Sequence, residues 1–145
     1  MPIEYRIHHA KRIVIVRCRG VMMEQEFFEY QRDVWSRPEV AGFDELVDMN
    51  DVDRIIAPSE QAVRDLANLS ASMDAPGTTS KFAIVAGDRL AFGLGQMYGA
   101  RRDFNSKSSK EVRVFVVRAQ ALEWLGVTEA ELAEEPKDAA PGSAR

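Results

Sequence analysis

The run Lys81 to Ala86 (KFAIVA) is apolar almost without a break, and this stretch does most to limit the fold. A strand wet on one face alternates apolar and polar residues. An unbroken run belongs to a central strand covered on both faces, as in a parallel sheet between helices. The flanking segments have the matching helical period. Upstream, from about Pro58 to Ser72, residues Ala62, Val63, Leu66, Leu69 and Met73 share one face. Pro58 suits the first turn there, and Glu60 complements the positive N-terminal dipole. Downstream, the pattern from Arg89 to Phe104 buries Leu90, Leu94, Met97 and Tyr98, with Ala91 beside them.

The rest of the chain continues this alternation. Ile3, Tyr5 and Ile7 alternate with polar neighbours, and Ile13 to Cys18 follows as a β-branched run closed by Gly20. With the polar link His8 to Arg12 between them, these read as an antiparallel hairpin. Met23 to Trp35 is helical and ends at Arg37-Pro38. Leu46 to Met49 is a short strand, and Asp74 to Thr79, with Pro76-Gly77, is a loop. Val112 to Val117 is a last strand, and Ala119 to Leu125 a last helix stopped by Gly126. The order β-β-α-β-α-β-α-β-α predicts an α/β fold: a mixed, mainly parallel sheet of about five strands with an N-terminal hairpin and flanking helices.

At 145 residues the chain is sized for one domain. Residues 1–127 are expected to form it. Residues 128–145 carry five acids against two bases and read as a frayed helix to about Glu135 followed by a disordered tail. A net charge of −4 and a pI near 5.3 argue against a nucleic-acid partner. The N-terminal segment lacks the apolar core of a secretory signal, and no apolar run approaches a membrane span, so an integral membrane protein is not expected and a cytoplasmic location is. Cys18, the single cysteine, falls in a strand and reads as a small buried hydrophobe.

Four stretches carry the packing pattern of a known superfamily. They are EYRIHHAKRIVIVRCRG, EYQRDVWSRPEVAGFDELVDMNDVD, SKFAIVAGDRLAFGLGQMYGARR and EVRVFVVRAQALEWLGV, together spanning about residues 3 to 127. The chain resembles the SpoIIAA-like superfamily, which holds the STAS domains of anti-sigma-factor antagonists and, more remotely, the CRAL-TRIO (SEC14-like) lipid-binding domains. The resemblance implies that fold and a candidate surface. In the antagonists an Asp-Ser-Ser/Thr-Gly motif between the third strand and second helix carries a phosphorylated serine. The equivalent stretch here is DMNDVDRIIAPSEQAV, in which Ser59 stands near the helix start with neither the preceding Asp nor the following Gly.

Several constellations attract attention. Asp48, Asn50, Asp51, Asp53 and Glu60 half-match a calcium loop, but Asp53 stands where the turn glycine belongs and Glu60 falls one residue late. They read as a solvated strand-to-helix loop, and no metal or other cofactor is expected. Gly93, Gly95 and Gly99 mimic a dinucleotide fingerprint but begin well inside a helix, so they read as points of close packing. His8 and His9 are expected to be exposed in the hairpin turn, and no nucleophile elbow or phosphate-binding loop accompanies them. Arg101, Arg102, Lys107, Lys110 and Arg113 form the densest basic stretch, explained in part by a helix C-terminus.

The first helix offers more. Phe27, Phe28, Tyr30 and Trp35, with Met22 and Met23 before them, cover more than the one apolar stripe a helix on a sheet requires. Phe92 repeats this on the third helix, away from the line that includes Tyr98. Extra core, a subunit interface and a hydrophobic pocket are all consistent with the excess. The reading is a non-catalytic binding or regulatory module, with a small hydrophobic or acyl ligand held between the first and third helices by Phe27, Phe28, Tyr30, Trp35, Phe92 and Tyr98. A homodimer and a regulatory protein partner are expected. The alternative is a partner-switching antagonist phosphorylated at Ser59.

Overall fold

The computed structural model describes residues 2–56 and 58–134. Among them the elements are β1 (Ile3–His8), β2 (Ile13–Met23), α1 (Glu24–Trp35), β3 (Asp44–Ile56), α2 (Glu60–Ser72), β4 (Ser80–Val85), α3 (Arg89–Phe104), β5 (Lys110–Phe115), α4 (Arg118–Leu125) and α5 (Glu129–Ala133). The sheet runs β1-β2-β3-β4-β5. The opening hairpin is antiparallel, pairing Ile3 with Cys18 and His8 with Ile13, and the remaining ladders are parallel. This is the mixed sheet expected from the sequence.

Because each crossover moves one place in the same direction, the right-handed rule puts α1, α2 and α3 on one face. The packing agrees. Val14, Val16, Cys18, Val47, Met49, Phe82 and Ile84 meet Val34, Ala67, Ala91 and Tyr98 on that front face. Ile13, Leu46, Ala83 and Val85 point backwards to Ala121, Leu122, Leu125 and Leu132 of α4 and α5. Strand β4 thus contributes buried side chains to both faces, as its unbroken apolar run requires. Glycine explains how closely α3 lies: a Cβ on Gly95 would stand 3.2 Å from a Val114 methyl, and one on Gly99 would stand 3.4 Å from Val112. Gly93 faces open space.

Two strands outrun their sequence boundaries. β2 does not stop at Gly20, and β3 extends on both sides of Leu46 to Met49. Beyond Asp48, β3 pairs with β2 alone, matching Arg19 to Asp51, Gly20 to Val52 and Met22 to Ile55. Gly20 takes a positive φ of 68° between two register shifts, so it marks an irregularity in the ladder where a stop was expected. Asp51 and Asp53 are therefore exposed strand residues and not a loop, and Asp48 is buried against Arg118 at 2.9 Å. Met22, assigned to the helix approach by its sequence, is a fully buried β2 residue.

His8 also departs from expectation. It is buried, with Nδ1 accepting from the Lys11 backbone N–H and Nε2 facing the carbonyls of Glu131 and Glu134. Arg6 donates to the Leu132 carbonyl beside it, and Lys11 meets Glu131 at 2.6 Å. These contacts fasten α5, the short helix found where one was expected from about Thr128; Thr128 and Glu131 cap it reciprocally and Leu132 is its buried residue. The tail expected beyond it, 135–145, lies outside the described residues.

Candidate ligand site

A cavity of about 130 Å³ opens between α1, α2 and the front of the sheet. Phe27 and Phe28 of α1 form one side, and Ala62, Val63 and Leu66 of α2 form the other. Val16, Cys18, Val47, Met49, Phe82 and Ile84 supply the sheet wall, and α3 closes the far end with Leu94, Gly95 and Tyr98. The sequence reading set this space between the first and third helices. The facing wall is α2 because α2 crosses between β3 and β4, next to α1. Exposed Glu24, Pro58 and Ser59 mark the mouth, where α1 and α2 both begin.

The inner end is polar but internally satisfied. Tyr30 donates to Glu45 Oε2 at 2.6 Å, and Trp35 Nε1 donates to the same oxygen at 3.2 Å. Lys110 Nζ meets Glu45 Oε1 at 3.0 Å and stands 3.1 Å from the Trp35 ring centroid. Ser70 donates to Gln31 Oε1 at 2.9 Å, and Arg102 bridges Tyr98 and Asp74. Burial, then the facing Glu45 carboxylate, pushes the Tyr30 phenol well above its usual range. Burial also lowers Lys110, with Glu45 acting in the opposite sense. Burial, followed by the charges of Asp48, Glu26 and Glu45, pushes the Cys18 thiol up to about 12, so the thiolate is strongly disfavoured.

The structure divides the aromatic residues singled out by sequence. Phe27, Phe28, Tyr30 and Tyr98 line the cavity. Trp35 lies behind the wall, where it fixes Tyr30 and Glu45, and Phe92 packs half-buried against the front core. Ser59 is the N-cap of α2, its Oγ accepting from the Ala62 N–H at 3.0 Å. Of the basic stretch, Arg102 and Lys110 are interior partners of Asp74 and Glu45 and offer no surface for an anion. Glu45 goes unmarked in the sequence reading and Lys110 enters it only through the basic stretch, although strand alternation places both on the buried face. Glu45 shares a face with Val47 and Met49, and Lys110 shares one with Val112 and Val114. Among the described residues, no three His, Cys, Asp or Glu side chains assemble as a metal-ligand set, and no helix is long and apolar enough to cross a membrane.

The topology and its front-face cavity define an α/β protein with a SpoIIAA-like fold. Among solved structures, the chain is similar to an uncharacterised protein of the DUF3478 family from Shewanella loihica PV-4, described as having a SpoIIAA-like fold. The TM-score is 0.54 at 15% identity, covering 85% of this chain and 93% of that one. No family model and no curated protein matches the sequence.

Proposed function

We propose that the protein is a non-catalytic binding module that holds a small hydrophobic ligand in the cavity between α1 and α2. The observation that carries this reading is the cavity itself. It has apolar walls on three sides, a polar end that needs no further partner, and a mouth at the surface. Its size is comparable to the roughly 150 Å³ apolar cavities that take a benzene-sized guest. The non-catalytic part is supported by how the acidic residues are placed: Asp48 is tied to Arg118, Asp51 to Arg17, and Glu45 to three interior donors. Native and denaturing mass spectrometry of protein purified gently from its own host tests the reading. A small non-covalent adduct should be lost on denaturation and absent from Ala62→Phe, which fills the space. An adduct retained by that variant, or titratable apolar probes that leave the cavity side chains unmoved, would refute it. The same spectra report whether the chain pairs with itself, as the sequence led us to expect.

A second reading, a phosphorylation-controlled partner switch at Ser59, draws support from the fold and from the exposed Ser59 hydroxyl at the N-terminus of α2. Phosphate there would gain from the helix dipole and oppose Glu60 next to it and Glu24 across the mouth. A kinase-dependent mobility shift abolished by Ser59→Ala would favour it, and unphosphorylated Ser59 in cells would count against it.

A further inference from the structure

We propose that the cavity prefers a small alkyl or aryl ligand with a neutral or cationic head group and discriminates against the corresponding carboxylate. This rests on the cavity reading above and adds the charge of the ligand, argued from the two ends of the space. At the inner end, Tyr30 is engaged with Glu45, Gln31 with Ser70, and Tyr98 with Arg102. Among the described residues no buried side-chain nitrogen or oxygen lacks a partner. A head group driven to that end would lose its water and have to compete with bonds the side chains there already make to one another, which is unfavourable for a neutral group and more so for an ion. The apolar end therefore enters first, and the head stays at the mouth.

At the mouth the charged side chain in the wall is Glu24. A carboxylate head would lie beside a carboxylate, and an ammonium beside its counter-charge. The α1 and α2 N-termini flanking the mouth would favour an anion, but Glu24, Glu26 and Glu60 already occupy their first turns. Cys18, Tyr30 and Tyr98 line the cavity, and burial is the first cause that holds each in its neutral form, so none of them presents a charge to a bound head group. The interior cations, Lys110 and Arg102, are bound to Glu45 and Asp74 behind the walls.

Hexan-1-ol, hexylamine and hexanoate share a chain and differ in the head, so they separate the two claims. Titrations at neutral pH and fixed ionic strength, followed through the methyl resonances of Val63, Leu66 and Ile84, should show hexylammonium binding about tenfold more tightly than hexanoate. Hexanol should fall nearer the amine. Glu24→Gln should reduce the amine-to-carboxylate ratio to about twofold. Equal affinity of the native protein for all three, or a ratio unmoved by Glu24→Gln, would overturn the charge preference while the cavity reading stood. Failure of all three chains to shift those methyls would overturn both.

Discussion

Glu45 and Lys110 lie 65 residues apart in sequence and meet at 3.0 Å in the interior, only 2% and 8% exposed. The pair joins the central strand β3 to the edge strand β5 across β4, which separates them in the sheet. It also anchors the α1 aromatics, since Tyr30 and Trp35 both donate to Glu45.

The two partners are not equivalent, and that is testable. Lys110→Met leaves the Glu45 carboxylate with two donors, whereas Glu45→Ala leaves a buried ammonium facing aromatic rings and deprives Tyr30 and Trp35 of their shared acceptor. Glu45→Ala should cost about 3–5 kcal/mol, in the range for breaking a buried ion pair. Lys110→Met should cost less. Urea denaturation of both variants checks the order, and equal losses would refute this account of the network.

The three glycines of α3 should respond differently to alanine. Gly93 has open space, so Gly93→Ala should stabilise by about 1 kcal/mol through helix propensity alone. Gly99→Ala makes an ordinary contact with Val112 and should fall between the other two. Gly95→Ala drives a methyl to 3.2 Å from Val114 and should lose the propensity gain, leaving the variant no more stable than the parent. Thermal melts of the three single variants give the ranking.

Stability should decline in alkali. Cys18, Tyr30 and Tyr98 all have folded-state values raised above their ordinary ones, with burial the leading cause. A raised group contributes fully below its unfolded value and loses that contribution as pH climbs through the folded one. For Cys18 the window runs from 9.0 to about 12. Lys110 is lowered and acts in the opposite sense, but it is one group against three. Removing the thiol in Cys18→Ala should make the decline shallower by about 1.4 kcal/mol per pH unit in mid-window. Denaturant midpoints measured across that range test the slope, and an unchanged slope would contradict the burial argument.

The back layer should depend on one side chain. Leu132 is 2% exposed and is the buried residue of α5. Leu132→Ala should cost about 2–5 kcal/mol and speed amide exchange in 129–133 while exchange in α1 to α3 stays as in the parent. Uniform acceleration throughout the protein would show that α5 is not a separable layer.

Much of this fold can be read from local signals. β4 declares itself because both of its faces are buried, and α2 because its apolar residues keep a helical period. The β2–β3 extension does not, because Gly20, Asp51 and Asp53 are turn-type residues and only cross-strand pairing holds them extended. His8 looks like a turn residue until α5 returns to cover it. At the candidate site the α1 aromatics were visible as surplus apolar surface, but their division was not. Trp35 faces Glu45 and Lys110, partners fixed by strand order that no local window contains.

Strand order has a further consequence in time. Since β1 to β5 are laid down in sequence and their crossovers all cover the front, the back of the sheet has no cover until α4 and α5 are made. Leu46 and Ala83, partners of each other in the β3–β4 ladder, therefore keep their back-facing side chains wet until Leu122, Leu125 and Leu132 leave the ribosome. An emerging chain of this design reaches its native state only after Ala133 clears the exit tunnel, however early its front half has collapsed.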